Sequence, residues 1–164
     1  MSFRAAATAL SRCGAVVGAA ALTVMIVLIT VQVASRQILA APMVIADEVS
    51  GYLLVVTTFS ALGYALHRGD HIQVTLVTDR LSPRARAWLR ILWCLVGVPF
   101  LALLVRRTAD MAWDSYVTGS FSVSATNVIL WPIQAFVPLG LAVFLIQMLA
   151  ELAAAVDDVR GKRP

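Results

Sequence analysis

The sequence predicts an all-α membrane protein with four transmembrane helices. Three observations support this: the composition, four long apolar runs and the placement of the basic residues. Of the 164 residues, 60% are hydrophobic and 13% are charged, against roughly half and about a quarter in an average soluble domain. A soluble chain of this length could not remove so much apolar surface from water. The composition therefore excludes an ordinary soluble enzyme, a disordered chain and a secreted disulfide scaffold.

Four apolar runs are long enough to cross a bilayer as helices, which takes about 20 residues, with a range of about 17–25. They cover residues 14–34, 49–66, 89–105 and 128–150, and leave short tails at 1–13 and 151–164 of a single domain. The first run is longer than the apolar region of a signal peptide, which spans about 7–15 residues. We expect a retained anchor, with cleavage near Ala40-Ala41 as the alternative.

The basic residues predict the orientation of these helices. Of the 13 Lys and Arg residues, ten fall in the two tails and in or at the edge of the loop between the second and third runs, with Arg90 at that edge, and three fall in the other two loops. Because cytoplasmic loops carry the excess of Lys and Arg, both termini are predicted to be cytoplasmic. The net charge of +4 is thus assigned to membrane topology rather than to nucleic-acid binding.

The segments between the runs carry their own signals. Residues 70–81 place Val74, Val77 and Leu81 at helical spacing, although residues 72–76 also alternate. Either pattern is amphipathic, so this segment is predicted to lie along the cytoplasmic interface.

Local residue types also predict where the third helix begins and where a turn separates it from the fourth. Ser82-Pro83 has the residue types of an N-cap and first helical position, and Thr118-Gly119-Ser120 marks a turn. Charged residues recur at every fourth position after the third run, which predicts that this helix extends past the bilayer: Arg106, Asp110 and Asp114.

The chain offers little reactive chemistry inside the predicted spans. No ionisable residue falls deep in an apolar run, and the deepest strongly polar side chains are Gln32, Gln134 and Gln147. His67 and His71 stand four residues apart, a spacing that suits a metal or haem on one helical face, but Gly69 lies between them. The chain has only these two histidines, whereas b-type haem ligands usually come from different helices, so a haem-binding membrane anchor of an electron-transport complex is the alternative reading.

The second run is unusually rich in small and hydroxylated residues: Ser50, Gly51, Tyr52, Thr57, Thr58, Ser60, Gly63 and Tyr64. Such residues mark helix–helix contacts in lipid. Two interpretations stay open, namely packing within this four-helix unit and docking onto a larger membrane partner.

Several short motifs, taken in order, resemble the small membrane subunit of tripartite ATP-independent periplasmic (TRAP) transporters, the DctQ-like family. They are Arg36 after the first run, Asp47-Glu48 ahead of Gly51-Tyr52-Leu53-Leu54, the run from Thr58 to Ala65, Arg68-Gly69-Asp70-His71-Ile72-Gln73-Val74, Leu81-Ser82-Pro83-Arg84, Trp131-Pro132-Ile133-Gln134 and Val137-Pro138-Leu139-Gly140. They span most of the chain, from Ala34 to Gly140.

The resemblance implies a non-catalytic subunit of the bacterial inner membrane, with no cofactor of its own. Its expected partners are a large multi-helix permease that holds the solute and Na⁺ sites, a periplasmic solute-binding protein and membrane phospholipids. The subunit is expected to brace the scaffold of the large permease in a sodium-coupled importer, with an organic acid such as a carboxylate or dicarboxylate as solute. Contacts with the partner subunit or lipid are expected at Arg36, Glu48, Tyr52, Tyr64, His71, Arg84, Trp131, Gln134 and Pro138.

Overall fold

The computed structural model describes residues 3–39, 44–68, 82–122 and 127–159. These residues form four α-helices: α1 Phe3–Leu39, α2 Val44–Arg68, α3 Pro83–Thr118 and α4 Trp131–Val159. All four are long and apolar enough to cross a membrane, as expected for a chain that must satisfy its backbone hydrogen bonds internally in lipid. The four-helix prediction is confirmed. Residues 70–81, which include the predicted amphipathic segment and His71, lie outside the described residues, as do Ala40 and Ala41.

The two ends of α3 follow from local sequence. The Ser82 hydroxyl oxygen accepts a hydrogen bond of 3.3 Å from the Ala85 backbone N–H, and Pro83 occupies a first-turn position where no N–H is needed. Gly119 ends the helix in the left-handed conformation, with φ of 62°, which glycine adopts without a Cβ penalty. The predicted N-cap and turn are both confirmed.

The start of α4 differs from the prediction. The apolar run was expected to become helical at Val128, but the helix begins at Trp131. The Ser122 N–H donates to the Val128 carbonyl (2.8 Å), and the Leu130 N–H donates to the Ser120 carbonyl (3.2 Å). Residues 120–122 and 128–130 therefore pair antiparallel, and we call them the paired segments. These backbone bonds take the place of the first helical turn.

The helices form a layer rather than a closed ring. α1 packs on α2, α2 packs on α4, α4 packs on α3, and α1 also touches α4. The order across the layer is therefore α1, α2, α4, α3. We call the end that carries the paired segments the loop end, and the end with the N-terminus of α1 the tail end.

The centre of the layer lies along α4. In its apolar stretch 33% of the residues are buried, against 6–11% in the other three helices. Large apolar side chains instead face outward along α1 and α3. Such a surface suits lipid or a membrane partner and would be incompatible with water.

Candidate functional site

The contact between α1 and α2 depends on two glycines of α1. A Cβ on Gly14 would collide with the Ser60 carbonyl oxygen, and one on Gly18 would lie 3.0 Å from the Thr57 carbonyl oxygen. Glycines four residues apart let two membrane helices approach closely, so that backbone and small side chains make the contact. Thr57 and Ser60, both from the polar second run, therefore lie at a contact within this chain.

A second close contact joins α2 to α4. A Cβ on Gly140 would overlap the backbone of Phe59, and one on Gly63 would lie 3.0 Å from both the Ser11 hydroxyl and a Val143 methyl group. Gly63 thus faces both α1 and α4, and the three helices converge at this level.

Below that convergence, at the tail end, three side chains form the tail-end cluster. The Ser11 hydroxyl donates to Oε1 of Gln147 over 3.1 Å, and Nε2 of Gln147 lies 3.4 Å from Nδ1 of His67. Because the amide nitrogen can only donate, Nδ1 of His67 is the acceptor, and the imidazole proton belongs on Nε2. Ser11 is 0% exposed and Gln147 is 2% exposed, so the cluster links α1, α4 and α2 inside the layer.

At the loop end a second group, the loop-end cluster, joins α1, α2 and the paired segments. Nε2 of Gln32 donates to Oδ1 of Asp47 over 2.7 Å, and the Tyr52 hydroxyl donates to Oε1 of Glu48. Tyr52 also hydrogen-bonds the side chain of Ser122. Since the phenol has given its only proton to Glu48, the Ser122 hydroxyl is the donor in that bond.

An aromatic group lies beside the paired segments. The Tyr116 ring stands edge-on to Trp131 with centroids 5.3 Å apart, and the Trp113 ring lies 5.7 Å from Tyr116. Trp113 and Tyr116 are mostly exposed, which is typical of aromatic side chains at a membrane–water interface. The contact fixes the end of α3 at the level where α4 begins.

The comparison with known proteins decides the family. Residues 25–158 match the family model described as tripartite ATP-independent periplasmic transporters, DctQ component. The chain belongs to this family. It is also 27% identical over 155 residues to the ectoine TRAP transporter small permease protein TeaB of Halomonas elongata, which covers 94% of this chain and 78% of that protein. The resemblance seen in the motifs is thereby confirmed, and the chain is a component of a transporter.

Part of the polar face of α2 is left uncovered by the described residues of this TRAP small permease. Gly51, Leu54 and Thr58 are exposed, and a Cβ added to Gly51 would meet no atom within 4 Å. Their spacing of three and four residues places them on one helical face, which we call the α2 stripe. The second run therefore divides between Thr57, Ser60 and Gly63, which pack inside the unit, and this outward stripe.

The residues predicted as contact sites are spread over the TRAP small permease. Among the described members of this set, Glu48 and Tyr52 are hydrogen-bonded to each other. Arg36 is exposed near the end of α1, Pro138 is half-buried within α4, and the Arg68 guanidinium lies 5.9 Å from the centroid of the Tyr64 ring. His71 lies outside the described residues, as does the side chain of Arg84.

Two of the predicted residues mark the start of α4. Trp131 is its first residue, and its ring meets the Tyr116 ring edge to face. Oε1 of Gln134 is buried and has no hydrogen-bond partner among the described residues. The haem alternative is not favoured by the family, and His67 itself faces Gln147.

The sequence reading missed the α1 side of the helix contacts. Small residues recur there at intervals of three or four positions: Ala7, Ser11, Gly14, Gly18 and Ala21. This is the same signal that marked the second run, and it could have identified the face of α1 that packs on α2.

Proposed function

We propose that this chain is the non-catalytic small subunit of a sodium-coupled TRAP importer in the bacterial inner membrane. In this proposal it binds a large permease and braces its scaffold, while the permease holds the Na⁺ and solute sites. A periplasmic binding protein delivers the solute, and both termini of this chain lie in the cytoplasm. The observation that carries the proposal is that two buried polar side chains of this chain hold its helices together and are thus not free to bind a solute or an ion. Ser11 and Gln147 are buried polar residues, and their side chains bond each other across two helices.

The α2 stripe is the surface that we assign to the large permease. Small and hydroxylated residues allow a partner helix to approach closely, and hydrogen bonds of the hydroxyl groups can add to the packing. Gly51 and Thr58 supply both properties on a face that none of the described residues covers. Such a surface favours a partner helix over lipid tails, because helices associate in lipid through close packing and interhelical hydrogen bonds.

For the transported solute we propose an organic acid, with a carboxylate as the first candidate. A second candidate, ectoine, is favoured by the name of the relative from Halomonas elongata. Solute choice in this proposal depends on the binding protein and the large permease. Uptake assays should therefore include both candidates.

The test begins with affinity purification of the tagged chain from native inner membranes. We expect a large polytopic permease in near-equal amount. The complex, reconstituted with its binding protein, should then accumulate solute only when a sodium gradient is imposed, and this chain alone should accumulate none. Purification without a large permease, uptake by this chain alone, or uptake that is independent of sodium would each contradict the proposal.

Orientation is tested separately with reporters fused to the C-terminus. We expect a fused fluorescent protein to be active, because it folds in the cytoplasm, and a fused phosphatase that needs the periplasm to be inactive. The opposite pair of results would reverse the predicted topology.

A further inference from the structure

Two contacts fix how α3 and α4 are aligned along their axes, which we call their relative heights. At the loop end Tyr116 meets Trp131, and near the tail end a Cβ on Gly97 would lie 2.9 Å from Sδ of Met148. Nineteen positions of α3 therefore run alongside seventeen of α4, antiparallel. This register places Arg106, which precedes Tyr116 by ten residues, about opposite Gly140.

The relative height of α1 is set in the same way. Gly63 of α2 meets both Ser11 of α1 and Val143 of α4. Arg12, the next residue of α1, therefore lies about level with Val143. Arg12 and Arg106 are exposed and stand at nearly the same height, although they belong to helices at opposite edges of the layer.

The uncharged stretches of these two helices are displaced in opposite directions. That of α1 runs between Arg12 and Arg36, and that of α3 between Arg90 and Arg106. By the contacts above, the centre of the first lies level with about Trp131, and that of the second with about Met148. The displacement is therefore about 24 Å at 1.5 Å per residue.

The uncharged stretches of the two inner helices have their centres between those of α1 and α3. The uncharged stretch of α2 lies between Glu48 and Arg68, and that of α4 ends at Glu151. Their centres are level with about Pro138 and Leu141 of α4. The four centres thus shift steadily toward the tail end in the order α1, α2, α4, α3. That order is the spatial order of the helices in the layer.

If the layer stood perpendicular to the membrane plane, the uncharged stretches of the four helices could not all lie within the hydrocarbon core. A bilayer centred on Gly140 would hold Arg106 and Arg107 near its midplane, where a charged side chain is costly, and would leave the outer apolar part of α1 in water. A layer that is tilted brings all four stretches into one slab. Because α1 also touches α4, the layer is narrower than three full helix spacings, and a displacement of about 24 Å requires a strong tilt, at the upper end of the usual range of about 0–40°.

We propose that the layer crosses the bilayer obliquely and that Arg106 and Arg107 bind lipid phosphate groups at its loop-end surface, with Arg12 at the opposite surface. Exposed apolar side chains line the face of α3 that leads to this pair: Leu92, Val96, Phe100 and Leu103. Both arginines are exposed, and a guanidinium matches phosphate oxygens in a two-pronged hydrogen bond. Asp110, one turn beyond Arg106, then lies on the water side of the phosphates.

Depth measurements on the full chain in lipid nanodiscs test the tilt. With Cys13 and Cys94 replaced by alanine, single spin labels are placed at Val16 or Val24 of α1 and at Val96 or Leu103 of α3. All four native side chains are more than half exposed, so the labels should not disturb the packing. The oblique layer predicts that Val24 is deeper than Val16 and Val96 is deeper than Leu103. An upright layer predicts both orders reversed, and that result would overturn the proposal.

Phosphate binding is tested by counting phospholipids retained on the full chain, by native mass spectrometry from nanodiscs of phosphatidylethanolamine and phosphatidylglycerol. We expect Arg106→Gln and Arg107→Gln each to lower the apparent affinity roughly fivefold, and the Lys variants to retain most of it. Equal retention by the Gln variants would overturn the phosphate assignment. If the Gln variants retain as much lipid and the spin labels also show the depth order of an upright layer, the two arginines would instead be assigned to polar groups of a protein partner.

Discussion

Ser11 donates a 3.1 Å hydrogen bond to Gln147 although 136 positions separate the two residues in the chain. The bond joins the first helix to the last at the tail end, and the amide of Gln147 continues it to His67 on α2. In lipid, an interhelical bond of this kind contributes about 0.6 kcal/mol on average and up to about 1.7. Three of the four helices are therefore held at one level by a single buried amide.

Replacing Gln147 by leucine should lower the free energy of unfolding by about 1–2 kcal/mol. The variant removes both bonds of the tail-end cluster and leaves the Ser11 hydroxyl without its partner in a buried place. Unfolding in mixed detergent micelles, followed by circular dichroism, measures the change.

The double variant Ser11→Ala with Gln147→Leu serves as the control for this prediction. If the two side chains act through their shared bond, its destabilisation should be smaller than the sum of the single effects by about 0.6 kcal/mol. Strictly additive effects would show that the bond contributes nothing to stability.

Gly140→Ala should destabilise the chain by about 1–3 kcal/mol, the usual cost of overfilling a packed contact. Its Cβ would overlap the backbone of Phe59, which cannot rotate away as a side chain could. Thermal unfolding of the purified chain measures the effect. Gly51→Ala is the matched control, because its Cβ would enter open space, and its stability should be unchanged or slightly raised. A Gly140 variant as stable as the Gly51 variant would contradict the close contact.

The helices themselves could be predicted because lipid imposes a simple requirement. Each apolar run has to be helical, and the caps of α3 depend only on Ser82, Pro83 and Gly119, which are local in sequence. The first residue of α4 could not be predicted this way. Val128 and Ile129 are apolar enough to extend the run, but their backbone groups pair with residues 120–122, and such pairing leaves no mark on hydropathy.

The contacts of the candidate site were less accessible to sequence reasoning. The polar second run indicated helix contacts, but hydroxyl groups look the same whether they face α1 or a partner, so Thr57 and Thr58 could not be told apart. Helix register depends on pairs such as Gly63 with Val143. Helix register could therefore not be predicted from the sequence. For the same reason, neither could the relative positions of Arg12 and Arg106 along the helix axes.

Thr58→Trp should reduce the amount of large permease that co-purifies with this subunit, at least severalfold. Thr58 lies on the α2 stripe, and an indole there would prevent a partner helix from approaching closely. The ratio of the two subunits after purification, by quantitative mass spectrometry, is the measurement.

The matched control for the stripe is Val27→Trp on α1. Val27 is 57% exposed and lies outside the α2 stripe, so its replacement should leave the ratio unchanged. Equal ratios in both variants would place the permease contact elsewhere on the subunit. A normal expression level and normal unfolding of the Thr58 variant would show that the loss concerns binding and not folding.

Tyr52→Phe should loosen the paired segments while leaving the helices intact. The variant removes the hydroxyl that connects Glu48 to Ser122, and one lost hydrogen bond of about 1 kcal/mol raises local opening roughly fivefold. Hydrogen exchange at the amides of Ser122 and Leu130 measures this, because both donate across the paired segments. Tyr64→Phe is the control, since phenylalanine keeps the ring that faces Arg68 and the site lies at the other end of the layer. Unchanged exchange in the Tyr52 variant would mean that the backbone pairing alone holds the paired segments, and that the loop-end cluster does not extend to them.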